Sequence, residues 1–95
     1  MRIKARVDSN QKDIVSQLRK IGCSVLHTHQ IGKGAPDIIV GYDLRNYLVE
    51  IKDGNRPLSQ QQLTKDELKF QSEWKGTYVV INNFDDLKGI ILQHE

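Results

Sequence analysis

With one cysteine in 95 residues, the chain can form no intramolecular disulfide and no multi-cysteine zinc site. A lone Cys23 fits a reducing compartment. With no Cys/His/Asn constellation around it, it reads as a small buried apolar residue rather than a nucleophile. No apolar run approaches the roughly 18 residues a membrane helix needs, and the N-terminus lacks a signal-peptide core. The expectation is a soluble intracellular protein with no membrane partner. Repeats, low-complexity tracts and linkers are missing too, so residues 1–95 read as one small domain with a modest core. Net charge is only +2, too little to establish nucleic-acid binding by itself. What is present is a globular balance of 38% hydrophobic and 27% charged residues. The charge is unevenly placed: Arg2, Lys4 and Arg6 make a basic arm, while Asp85, Asp86 and Glu95 make the other end acidic. A mixed surface is the plain reading of such a pattern.

Periodicity and punctuation divide the chain. Met1–Val7 is a basic lead-in, an arm or an edge strand. Asp8-Ser9-Asn10-Gln11 carries helix-capping residues. Ile14, Val15, Leu18 and Ile21 follow at helical spacing, and Gly22 stops the helix where positive φ is common. Cys23–Thr28 suits a first strand and His29–Ala35, with Gly32 and Gly34, a flexible loop. Pro36–Tyr42 is apolar on both faces after Asp37, as in a central strand. The short connection Asp43-Leu44-Arg45 joins it to Asn46–Lys52 as an antiparallel hairpin. Asp53–Gln62 reads as a polar loop, and Thr64–Trp74 as a second helix ending before Gly76. Thr77–Asn82 is a further strand, reached by a helical crossover and so parallel to its neighbour. Leu87, Ile90 and Ile91 mark a last short helix. The predicted order is α-β-β-β-α-β-α, an α/β fold with a mixed sheet flanked by helices.

The chemistry concentrates in Pro36-Asp37-Ile38-Ile39 and Glu50-Ile51-Lys52. Residues two apart in a strand share a face, so Glu50 and Lys52 project together. If the two strands pair, Asp37 lies beside Glu50. Adjacent carboxylates supply the hard oxygen ligands that Mg²⁺ or Mn²⁺ prefers, and a lysine beside them can orient water or offset phosphoryl charge. Each piece has a plain reading, a turn aspartate or a solvated pair on an edge. Their joint occurrence at the ends of hairpin strands is more specific than any one of them.

In these residues the chain resembles the PD-(D/E)xK nuclease superfamily, and more closely the virus-type replication-repair nuclease family (VRR-NUC) in its stand-alone phage form. The similarity extends over Asp8-x-Asn10-Gln11, Leu18-Arg19-x-x-Gly22, Gly32-x-Gly34-x-Pro36-Asp37, Asn46 to Gly54, Leu63-Thr64 and Glu73-Trp74-x-Gly76. The resemblance implies a restriction-endonuclease-like fold and a divalent-metal-dependent endodeoxyribonuclease. It further implies a homodimer that prefers branched DNA such as four-way junctions, working in the cytoplasm of a host cell if phage-encoded. By the same resemblance, Asp37, Glu50 and the main-chain carbonyl of Ile51 would hold Mg²⁺ or Mn²⁺. Lys52 would position or activate the attacking water. Two alternatives are a non-cleaving nucleic-acid-binding module of the same fold and a monomeric flap or end nuclease.

Two positions depart from the family pattern. Related junction-resolving nucleases place a glutamate near the start of the first helix; the matching residue here is Gln11, which either reaches the metal through a water or forms a capping box with Asp8. A glutamine common after Leu-Thr in the second helix is replaced by Glu67, a capping-box partner for Thr64 or a carboxylate facing the site. Among basic residues, Arg2, Lys4, Arg6, His29, Lys33 and Arg56 are candidate DNA contacts. Arg45, Lys65 and Lys69 also flank the proposed site in sequence. His27 and His29 have a spacing that could chelate a metal, but with no third ligand nearby a structural or DNA-contacting role is expected. Phe70 and Trp74 are expected in the core rather than as base-stacking platforms.

Overall fold

Leu18, Ile38, Val40, Val49 and Leu87 are fully shielded from solvent, and the architecture follows from what brings them together. It is known from a computed structural model that describes residues 10–93. The arm Arg2, Lys4 and Arg6, the capping residue Asp8 and Glu95 lie outside the described residues. The first helix, α1 (Gln11–Lys20), buries Gln11, Ile14, Val15 and Leu18, spaced to fall on one stripe. It ends at Gly22, whose φ of +98° only glycine adopts freely. Strands β1 (Ser24–His27), β2 (Ile38–Tyr42) and β3 (Arg45–Ile51) form an antiparallel meander. The fourth, β4 (Tyr78–Ile81), joins β3 in parallel, giving a mixed sheet of order β1-β2-β3-β4. Short α2 (Leu58–Gln61), α3 (Lys65–Glu73) and α4 (Phe84–Leu92) complete the chain.

The expected order holds with two additions. A four-residue helix occupies part of the predicted polar loop 53–62, and a 3₁₀ turn at His29–Ile31 lies in the predicted loop 29–35. The first of these follows Pro57, whose fixed φ suits helix entry. The hairpin connection is tighter than expected. Only Asp43 and Leu44 turn, both at positive φ (52° and 64°), as in the two-residue turns that match strand twist. Arg45 belongs to β3 and pairs with Tyr42.

The core lies on one face of the sheet. Ile38 and Val40 of β2, Tyr47, Val49 and Ile51 of β3 and Ile81 of β4 meet Ile14, Val15 and Leu18 of α1 and Leu87 and Ile91 of α4. Burying each such aliphatic side chain contributes roughly 1.5–3 kcal/mol. Cys23 joins this cluster and its burial pushes the thiol pKa up, the inert apolar role expected for it. The alternate residues Leu48 and Glu50 of β3, and Lys52 just past its end, point to the opposite face. That face is covered incompletely by α3, none of whose residues is buried, and Leu26 and Val80 remain exposed on it. A charged site can therefore be built there without entering the core. Among the described residues no helix is long and apolar enough to cross a membrane.

Candidate active site

Register places the first carboxylates. Ile38 pairs with Val49, which brings the preceding Asp37 level with Glu50. Two contacts from Thr28 fix that strand end: its N–H donates to the Asp37 carbonyl (2.9 Å) and its hydroxyl to the Pro36 carbonyl (2.7 Å). The Asp37 carboxylate in turn accepts from the Ile51 N–H at 2.7 Å. Asp37 and the Ile51 backbone are thus in direct contact, and Asp37, Glu50 and Lys52 come together as the strand argument requires.

A third carboxylate arrives from α3. Lys52 Nζ lies 2.8 Å from Glu67 Oε1 and 3.4 Å from Glu50 Oε2. The same Glu67 oxygen accepts from the Thr64 N–H at 2.9 Å, while Thr64 Oγ1 accepts from the Glu67 N–H at 3.2 Å. The two readings of Glu67 are one arrangement: closing the capping box turns its carboxylate toward Lys52. Tyr78, which pairs with Leu48, is a member that sequence reasoning missed. Its hydroxyl is buried without a partner, and its pKa is raised by burial and by the charges of Glu50, Glu67 and Asp37. The parallel register of β4 is the signal that could have found it. Thr28 was missed because its role depends on the β1–β2 pairing.

Electrostatics make Glu50 the unusual group. It is only 3% exposed and Oε1 has no hydrogen-bond partner. Burial, a hydrogen bond with Glu67 and the charges of Asp37 and Glu67 push its pKa up to about 9, against a smaller opposing effect of Lys52. For Glu67, burial works upward too, but hydrogen bonds from Glu50, Lys52 and the Thr64 backbone outweigh it and hold the carboxyl below its ordinary value. Burial likewise opposes the charge on Lys52, yet the hydrogen bond to Glu67 and the nearby carboxylates raise its pKa. Glu50 is thus the carboxyl held to higher pH and Glu67 the one that pairs most closely with Lys52.

Asp37, Glu50 and Glu67 with the one ammonium of Lys52 leave an excess of two negative charges when all are ionised, the charge of one divalent cation. The oxygens of Asp37 and Glu50 with the Ile51 carbonyl form a hard donor set of the kind Mg²⁺ or Mn²⁺ accepts. Glu67 is held by Lys52 and stands outside that set. Among the described residues no group of three or more His, Cys, Asp or Glu side chains is spaced to hold a metal, so water would complete any coordination, as is usual for Mg²⁺.

The remaining candidates are spread more widely. Asn10 makes no side-chain cap; its Nδ2 donates to the Lys52 and Asn82 carbonyls (3.2 and 3.1 Å), tying the start of α1 to the ends of β3 and β4. Gln11 is 2% exposed; its Nε2 lies 3.4 Å from His27 Nδ1, and among the described residues its Oε1 has no partner. His27 and His29 stand edge to face with centroids 6.3 Å apart. Asp53 closes its own turn through the Asn55 N–H (2.9 Å) and faces Arg56 at 3.8 Å, and Arg56 also reaches Gln60. Lys33, at φ +56°, lines a cleft with Lys69 and Phe70. Arg45, at the far end of β3 from Glu50, is not brought to the cluster. The core assignment of Phe70 and Trp74 is corrected: Trp74 is 45% exposed, stacked on half-buried Phe70 at 5.5 Å. Phase on a helix does not guarantee burial where the helix has little to pack against.

Compared with known protein families, with curated proteins and with solved structures, the chain matches none.

Proposed function

We propose that this protein is a divalent-metal-dependent endodeoxyribonuclease of restriction-endonuclease-like fold, of the virus-type replication-repair kind. Its substrate would be branched DNA such as a four-way junction, cut by a homodimer. The observation that carries the reading is the buried Glu50, with one oxygen unpartnered, between Asp37 and Glu67 and beside Lys52. A purely structural ion pair has no need of a third carboxylate held neutral out of water.

Asp37, Glu50 and the Ile51 carbonyl would hold Mg²⁺ or Mn²⁺. When bound, such an ion supplies Lewis acidity and lowers the pKa of water. Lys52, kept cationic by Glu67 and Glu50, orients water and stabilises negative charge on a phosphate rather than serving as a base. Glu67 holds the ammonium in place from the rim of α3. Asp37, clamped through Ile51 and Thr28, keeps its position without help from the substrate.

The test is cleavage of linear, flap, splayed and four-way DNAs with Mn²⁺, Mg²⁺ or chelator. Cleavage should require metal, and Asp37→Asn should lower it by at least about two orders of magnitude, the scale on which loss of a key electrostatic group acts. Unchanged cutting by Asp37→Asn would refute the site. DNA binding without metal-dependent cleavage would instead favour the non-cleaving module.

A further inference from the structure

An open groove of about 700 Å³ runs along α1, away from the Asp37–Glu50 cluster. Lys12, Val15, Ser16, Arg19 and Lys20 line one wall, on the i, i+3, i+4, i+7 spacing of a single helix face. His27 and His29 line the other, and Gln11 closes the end nearest the cluster, one residue from the Asn10 side chain that is bonded to the Lys52 carbonyl. Among the described residues no carboxylate lines it. Gln11 at that end is almost wholly buried, and its Oε1 has no hydrogen-bond partner among the described residues.

We infer that this groove binds a single strand of nucleic acid that leads to or from the Glu50–Lys52 site. The three cations suit phosphates, and Val15 with the aliphatic stems of the cations offers apolar surface to base faces. Lys12 and Lys20 stand eight residues apart on α1, about 12 Å at 1.5 Å per residue, a length that takes a few phosphates of one strand. This role for the groove rests on the nuclease reading and deepens it by adding to its branched substrate an unpaired arm of the kind that flap and splayed DNAs carry. Its test is separable because it reads binding with metal withheld.

Binding of a fluorescent oligothymidylate and of a duplex of equal length is measured by anisotropy in chelator over a range of salt. The wild type and the triple variant Lys12→Ala/Arg19→Ala/Lys20→Ala are compared, with Lys12→Arg/Arg19→Lys/Lys20→Arg as the charge-keeping control. Loss of three phosphate contacts should reduce the slope of log affinity against log salt by about 2. The oligothymidylate should bind the triple variant ten- to a hundred-fold more weakly, with the control near wild type. An unchanged slope, no binding of oligothymidylate by the wild type, an equal loss on the duplex, or a change in sedimentation in place of DNA affinity would each overturn the inference. Metal-dependent cleavage with no groove effect sinks the groove alone, and a groove effect without cleavage sinks the nuclease reading alone.

Discussion

Burial and its carboxylate neighbours raise the pKa of Glu50 above that of an ordinary glutamate, and that has a measurable consequence in the metal-free protein. Its folded-state pKa of about 9 lies above the ordinary 4.5. Between these values the unfolded chain releases the proton and the folded chain retains it, so fewer protons are bound in the unfolded state and stability falls as pH rises. The contribution is fully present below about pH 4.5 and lost by about pH 9, with a limiting slope of about 1.4 kcal/mol per pH unit. Glu67, held low, affects stability only on the acid side, and Lys52, held high, only on the alkaline side. Thermal unfolding in chelator should therefore show a midpoint that declines from pH 5 to pH 9. Glu50→Gln should flatten the decline and be the more stable protein at pH 8. Superimposable pH profiles for the two proteins would mean that Glu50 is solvated and ionised like any surface glutamate.

Among the elements, the glycine loop before β2 and the first turn of α3 act as one support. Gly34 has φ +82°, and a Cβ there would overlap the Asp66 carbonyl and approach the Glu67 nitrogen. Gly32 has the same φ with open space around it. The pair separates two effects of one substitution. Gly32→Ala should cost only the backbone penalty of a conformation (φ 82°, ψ −173°) that glycine alone adopts readily, about 1–3 kcal/mol. Gly34→Ala must also displace α3, and should cost more than Gly32→Ala, while lowering cleavage because Glu67 moves away from Lys52. Chemical denaturation gives the stabilities and a single-turnover cleavage assay the second readout. Equal effects of the two substitutions would show that the loop does not bear on α3.

Taken as a whole molecule, the chain has one core face and one half-open face, with Leu26, Leu68, Trp74 and Val80 in contact with solvent. A chain of this size buries a smaller fraction of its surface than a larger domain does, and a two-fold partner is the commonest way to bury more. On the proposed function, two sites related by a two-fold axis should nick opposed strands of a four-way junction at symmetry-related positions. Cut mapping on end-labelled junctions, with sedimentation at the same concentration, checks this. A monomer that cuts linear duplex and junction equally would remove the dimer and the junction preference while leaving the metal-site assignment standing.

Local chemistry was enough to place the strands and most of the helices, because alternation, helical spacing and the Gly and Pro punctuation are properties of neighbouring residues. It also sufficed to put Asp37, Glu50 and Lys52 at one end of a hairpin, since the face a strand residue occupies follows from its parity. The small helices at 29–31 and 58–61 escaped it, being too short to have a period. Tertiary structure alone decided that Glu67 would meet Lys52 across 15 residues and that Asn10 would reach Asn82 across 72. Burial of Gln11 beside the groove, the partnerless hydroxyl of Tyr78 and the exposure of Trp74 were decided at the same level. Each depends on which surfaces the packed sheet left open, and that is a property of the assembled elements rather than of any window of sequence.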